Sequence, residues 1–163
     1  MGVGAVVVGA AVAAAGFHLA WHDDRRQPPD TRARHYRDID ACPLTGKDGI
    51  TAGTPAAEVW HGIQDASLRT HARVSYVPVT GEQSEGNARP YLNSLLQRSC
   101  DVVLTSGGPE VKAAEQAAPQ HQKVGFVLVA GGSQTRNATV VKSGHGLRAE
   151  VAGAVEREVS ARR

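Results

Sequence analysis

Aromatic residues are scarce: Phe, Trp and Tyr make up 4% of the 163 residues. That scarcity leaves no stacking platform for single-stranded nucleic acid. Net charge is small too, +2 with the seven histidines neutral, which gives no general attraction for phosphate backbones. No nucleic-acid partner is expected. Catalytic signatures are also missing. The histidines are scattered at positions 18, 22, 35, 61, 71, 121 and 145, and His61 and His71 are not the i, i+4 pair of a helical metal site. No serine lies in a G-x-S-x-G elbow. Glu58 and Asp65 read as solvated acids on one helix. No catalytic residue, no metal and no cofactor are expected, and the chain is not expected to be an enzyme.

Hydrophobic residues are 41% and charged residues 21%, an ordinary globular balance rather than that of a disordered chain. The first stretch stands apart. Residues 2–21, GVGAVVVGAAVAAAGFHLAW, contain no ionisable group except His18. At 1.5 Å per residue such a helix spans roughly 30 Å, the thickness of a bilayer core. A signal-anchor helix over 1–21 is the expectation, with a cleavable signal peptide as its rival and a buried soluble helix as the bland alternative. No cysteine follows the run directly, so a lipoprotein anchor is not expected. Residues 22–38 form a polar linker with Pro28-Pro29. Arg25, Arg26, Arg32, Arg34 and Arg37 lie after the span, and by the positive-inside rule they would hold the rest in the cytoplasm. The cysteines, below, argue the opposite orientation. A start codon assigned too far downstream would reconcile the two.

From residue 39 short apolar runs alternate with helical patterns. The runs are 39–45, 73–79, 101–106, 124–129 and 138–142, most of them β-branched. Between them, 55–70 places Val59, Trp60, Ile63 and Ala66 on one face, and Trp60 is expected mostly in the core. The segment 87–98 spaces Ala88, Tyr91, Leu92, Leu95 and Leu96 at i, i+3, i+4, i+7 and i+8. Segments 109–118 and 146–161 read as two more helices, the latter with Leu147, Val151, Val155 and Val159 on one stripe. This alternation predicts an α/β fold over 39–163. The expected form is a doubly wound, parallel, five-stranded sheet of order 2-1-3-4-5 with helices on both faces.

In such a sheet ligands bind beyond the carboxyl ends of the strands, at the switch in strand order. The loop 45–54, then Ser106 to Gly108 and Ala130 to Ser133, would gather there. Candidate ligand-binding residues are Thr45, Lys47, Asp48, Thr54, Ser106, Gly107, Gly108, Gly131 and Ser133. The loop is not a phosphate-binding P-loop, because Asp48 follows Gly46-Lys47 and Ala41 stands at the first glycine position. Plain turn chemistry is the alternative reading of these residues. Cys42 lies in the first strand and Cys100 opens the third. Order 2-1-3 makes those strands neighbours, about 4.8 Å apart, within the Cα separation a disulfide needs. A Cys42–Cys100 bridge and an oxidising compartment are expected; two buried free thiols are the alternative.

The residues Leu44-Thr45 with Gly49-Ile50, Trp60 and Gly62, Pro90-Tyr91-Leu92 with Leu95 before Cys100-Asp101-Val102-Val103, Gly107, and Val124-Gly125-Phe126-Val127 carry a family likeness over 39–160. In them the chain resembles the basic membrane protein family of ABC-transporter substrate-binding proteins, the group containing nucleoside receptors. The actinobacterial members with paired cysteines are the most similar. The resemblance implies one lobe of a type I periplasmic binding protein, the first of two lobes that close on a ligand. It also implies departures. The family's nucleoside loop, approximately D-D-K-S-F-N, falls on Thr51, Ala52, Gly53, Thr54, Pro55 and Ala56. Its second stacking aromatic falls on Gly108 and its sugar-binding Asp on Ala130. The stacking and hydrogen-bonding groups are gone, a loss worth several kcal/mol.

The expectation is therefore a non-enzymatic, single-lobe homologue held at the cell membrane through residues 2–21, with its domain outside the cell. Its partner would be a small molecule or a membrane protein, either a transporter or a sensor. The runner-up is a protein-interaction module, with a homodimer as one form of it. A single lobe is expected to offer only a shallow shelf, made of loops 45–54, 106–109 and 130–136. An enzyme on a flavodoxin-like sheet is the third reading.

Overall fold

The computed structural model of the chain describes residues 35–162. The expected membrane segment lies outside them, as does most of the linker. Among the described residues no helix is long and apolar enough to cross a membrane.

In chain order the elements are β1 (Asp40–Thr45), α1 (Pro55–Thr70), β2 (Arg73–Val74), β3 (Val77–Pro78), α2 (Glu85–Gln97), β4 (Val102–Ser106), α3 (Gly108–Ala117), β5 (Gly125–Val129), β6 (Ala138–Val141) and α4 (Leu147–Ser160). A single 3₁₀ turn, Ala118–Gln120, follows α3. The sheet is parallel throughout and ordered β2-β1-β4-β5-β6, with β3 also paired to β1. Every residue of β4 and β5 is buried, as befits strands covered on both faces.

Period-two alternation sorts the side chains. Ala41, Val102, Leu104, Val127 and Val129 face α1 and α4, where they meet Ile63, Val151 and Val155. Cys42, Leu44, Val103, Phe126 and Leu128 face α2 and α3, where they meet Leu92, Leu95 and Val111. The helix starts are chemically marked. Thr54 Oγ1 accepts the Ala57 N–H at 3.3 Å ahead of Pro55, and Ser84 Oγ accepts the Asn87 N–H at 3.3 Å.

The second run differs from expectation. It is two short segments, so the sheet has six strands rather than five, although the order along the sheet is the one expected. Pro43 accounts for the break. Odd-numbered residues of β1 turn their backbone groups to this edge. Arg73 N–H donates to the Ile39 carbonyl at 2.8 Å, Ser75 N–H to Ala41 at 3.4 Å and Val79 N–H to Thr45 at 2.8 Å. Pro43 falls in that series and has no N–H to return. The register breaks between Val74 and Val77: Ser75 and Tyr76 have no strand partner, although the Ser75 N–H still reaches the Ala41 carbonyl. Trp60 also departs from expectation. It is half-buried, with its ring edge-on to the exposed ring of Tyr76 at a centroid distance of 5.6 Å.

Cys42 and Cys100 form a disulfide with their Cα atoms 6.1 Å apart. It ties β1 to the chain just ahead of β4. The bridge closes a sequence separation of 58 residues, for which the chain-entropy account gives an upper figure of about 4 kcal/mol. Adding reductant is expected to lower the melting temperature clearly in a calorimetric scan; an unchanged transition would show that the bridge contributes nothing. A second constraint lies between α1 and α4. A Cβ placed on Gly62 would stand 2.6 Å from the Arg148 carbonyl oxygen and 2.9 Å from Val151 Cβ. Backbone cannot yield as a side-chain tip can. Gly62→Ala is expected to destabilise the fold by roughly 1–3 kcal/mol, as measured by urea unfolding.

Candidate functional site

After β1 the chain crosses to the face of α1, and after β4 to the opposite face of α3. The connections part between these two adjacent strands, and a crevice opens where they do. A cleft of about 680 Å³ occupies this place. Gln83 from the β3–α2 loop and the first two turns of α3 form its walls, and it stays half open to solvent, as expected of one lobe.

The loop from Gly46 to Thr54 is built from short self-contained turns. Gly49 N–H donates to the Gly46 carbonyl at 3.0 Å. Thr51 Oγ1 donates to the Asp48 carbonyl, and Thr54 Oγ1 to the Thr51 carbonyl, both at 2.6 Å. Gly49 takes the left-handed conformation with φ 57°, which lets the chain reverse without a Cβ clash. Gln83 joins this loop to its neighbour. Its Nε2 donates to the Val79 and Gly81 carbonyls at 3.1 Å each, and its Oε1 accepts the Lys47 N–H at 3.0 Å.

Of the residues expected here, Lys47, Asp48, Thr54, Ser106, Gly107, Gly108 and Gly131 line the cleft. Two do not. Thr45 ends β1 with its side chain buried and its Oγ1 donating to the Gly46 carbonyl at 3.3 Å. Ser133 is exposed, beyond the cleft's edge. Several lining residues were not anticipated. Val111, Lys112 and Glu115 follow Gly108 at i+3, i+4 and i+7, the spacing of one helix face, and that periodicity was the available signal. Gln83 had a signal too, since strand order puts the loop after β3 at this edge. The floor is largely backbone and small side chains: Gly46, Ala56, Ala130 and Gly132.

Beneath this floor sits Glu110, 1% exposed. It occupies the third position of α3, counted from the cap residue Gly107, whose φ is 132°. The φ of Gly107 calls for glycine, and a Cβ there would also press on the Glu110 carboxylate, which would have to move. Glu110 Oε1 has no hydrogen-bond partner, and Thr105 Oγ1 shares that condition. Burial pushes the Glu110 carboxyl above the usual carboxylate range, partly offset by its own backbone N–H. On the far side of the sheet, Arg148 holds Asp65 below its usual range through a two-point ion pair of 2.6 and 2.8 Å. Among the described residues no group of three or more His, Cys, Asp or Glu could hold a metal ion.

No family profile and no curated protein match the chain. A solved structure, a fragment named as a putative lipoprotein from Peptoclostridium difficile 630, is similar at 11% identity with a TM-score of 0.57. The match covers 76% of this chain and 96% of that one. At that identity the likeness is one of fold alone, a doubly wound parallel α/β lobe.

Glu110 has a consequence for stability. A carboxyl whose folded-state pKa is raised binds its proton longer in the folded state than in the unfolded one. The folded state therefore loses stability as pH rises from the unfolded value, about 4.3, through the raised one, and the loss is complete above it. Glu158, also raised by burial, acts in the same direction. Glu110→Gln removes only the first contribution. Urea unfolding of both proteins between about pH 4 and pH 8 is expected to show the variant gaining on the parent as pH rises. Parallel curves would mean that the Glu110 carboxyl ionises in the fold at no cost.

Proposed function

We propose that the chain is a binding lobe, not an enzyme, exported and held at the cell membrane through residues 2–21. In this reading it is a single-lobe relative of the basic membrane protein substrate-binding proteins whose nucleoside chemistry has been lost. The observation that carries it is the cleft. A volume of about 680 Å³ falls inside the range of small-molecule pockets, and the strand-order switch is where such folds take their ligands. The disulfide supports an oxidising compartment, and the lipoprotein name of the similar structure points the same way.

The cleft also supports the loss of nucleoside recognition. Pro55, Ala56, Gly108 and Ala130, on which the family's stacking and hydrogen-bonding residues fall, all line it. None offers an aromatic face or a polar side chain. A small molecule is the favoured occupant, and a transporter or membrane sensor would read the loaded lobe. One observation favours the runner-up, a protein-interaction module: the exposed Tyr76 ring borders the cleft wall, 3.9 Å from the Cβ position of Gly49, and with Trp60 it forms an aromatic pair able to anchor a protein.

Native mass spectrometry of protein taken gently from its own membranes tests the first reading. A small-molecule adduct that leaves on unfolding is expected, and a clean apo mass would count against it. Calorimetry with adenosine, guanosine and inosine is expected to show no saturable binding at micromolar concentration. A dissociation constant below about 10 μM would mean that other residues have taken over nucleoside recognition.

A further inference from the structure

Ser106 ends β4, and strand alternation puts its side chain on the same side of the sheet as Val102 and Leu104, the side that α1 covers. Ser106 is 8% exposed and lines the cleft. Its hydroxyl makes no hydrogen bond to any described residue. Native folds normally give so buried a polar group a partner, from protein, water or ligand, and the open side of Ser106 is the cleft. On this same side of the sheet α1 begins. Thr54 Oγ1 accepts the Ala57 N–H, the Thr54 carbonyl accepts those of Ala57 and Glu58, and Pro55 has none to give. The Ala56 N–H is left over, without a partner among the described residues, and Ala56 lines the cleft. First-turn N–H groups point out of a helix at its start, where α1, with 16 residues, also presents the positive end of its dipole.

We propose that the Ser106 hydroxyl and the Ala56 N–H form a subsite of the cleft that takes the carboxylate group of a small organic acid. Both groups donate, and a backbone N–H has nothing to accept with. A helix start favours negative charge, and hydrogen bonds to an ionised acceptor are the strong ones. Two donors suit the two oxygens of a carboxylate; a phosphate brings three or more. The charged side chains that line the cleft are Lys47, Asp48, Lys112 and Glu115, two of each sign, so they cancel and the selection falls to the donors. The Glu110 carboxyl belongs to α3, which covers the opposite side of the sheet. Pro55, Val111 and Val129 give an apolar wall for the carbon part of the acid. This subsite rests on the reading of the chain as a small-molecule binding lobe, and it names the class of molecule.

The test uses the full chain in detergent, three probes and amide-resolved NMR titration near pH 7, where a carboxylic acid is ionised. Isocaproate has the carboxylate and an apolar body, isocaproamide has nearly the same shape without the charge, and inorganic phosphate has charge without the body. Saturable shifts at the Ala56 and Ser106 amides are expected with isocaproate, at least tenfold tighter than with either of the others. Ser106→Ala removes the hydroxyl and is expected to weaken isocaproate by at least fivefold. Ala56→Pro removes the N–H at a first-turn position that tolerates proline, and it is expected to cost at least as much, read at the Ser106 amide. Should one variant fail to fold, the other decides. Equal binding of the three probes, tighter binding of phosphate, full affinity in a folded variant, or no shift at these amides would each overturn the subsite. The two readings fail separately. A co-purifying ligand without a carboxylate removes the subsite and leaves the binding lobe standing. Isocaproate shifts that meet these criteria in a chain that never carries a native ligand would do the reverse.

Discussion

Thr45 and Ser106 are partners at the last step of the β1–β4 ladder, and both chains leave the sheet there toward opposite faces. Much of the molecule hangs on that pairing. A shift of one residue would turn Leu44 and Cys42 from the face of α2 and α3 to the face of α1 and α4. The disulfide would lose its geometry, the two loops would part at different heights, and the floor of the cleft would break into a step. The pairing is held by burial on both faces of β4 and pinned at its amino end by the Cys42–Cys100 bridge. Register, covalent tie and cleft are therefore one constraint seen at three places along the same two strands.

Much of the fold was legible in the sequence, because its strands are short apolar runs and its helices carry clean stripes. Val102 to Ser106 could hardly be anything but a strand covered on both sides, and Leu147, Val151, Val155 and Val159 mark α4 without ambiguity. What was not legible depended on direction rather than composition. Pro43 interrupts a neighbouring strand only because its nitrogen faces that neighbour and not β4; one residue earlier or later it would have struck the other ladder. The sequence carries the proline but gives no simple sign of which way it looks.

The site was legible at the level of loops and less so at the level of residues. Lys47, Asp48 and Gly108 fell where strand order put them. Thr45 did not: it ends β1 buried, whereas Ser106, its ladder partner at the end of β4, reaches the cleft. Glu110 was overlooked for a different reason. A glutamate in the first turn of a helix normally faces water and favours the helix dipole, and nothing in its immediate sequence sets it apart. Its burial comes from the neighbours: two glycines, 46 and 107, from separate loops, leave a hollow that its carboxyl fills. Local sequence cannot report a hollow made by residues this far apart along the chain.

The free edges of the sheet carry one further meaning. On β6 the Val140 N–H, which points away from β5, is accepted by Gln134 Oε1 at 3.2 Å, and the Ala138 carbonyl accepts the Thr135 N–H at 2.9 Å. The preceding loop thus uses up outward-facing groups of that strand. The opposite edge is two dipeptide strands divided by the gap at Pro43 and ending in Pro78. Neither edge presents a continuous row of backbone donors and acceptors on which a foreign strand could template itself. For a domain rich in valine and alanine, that is protection against fibrillar stacking, and it leaves the loops and helix faces, rather than the sheet, to meet other molecules.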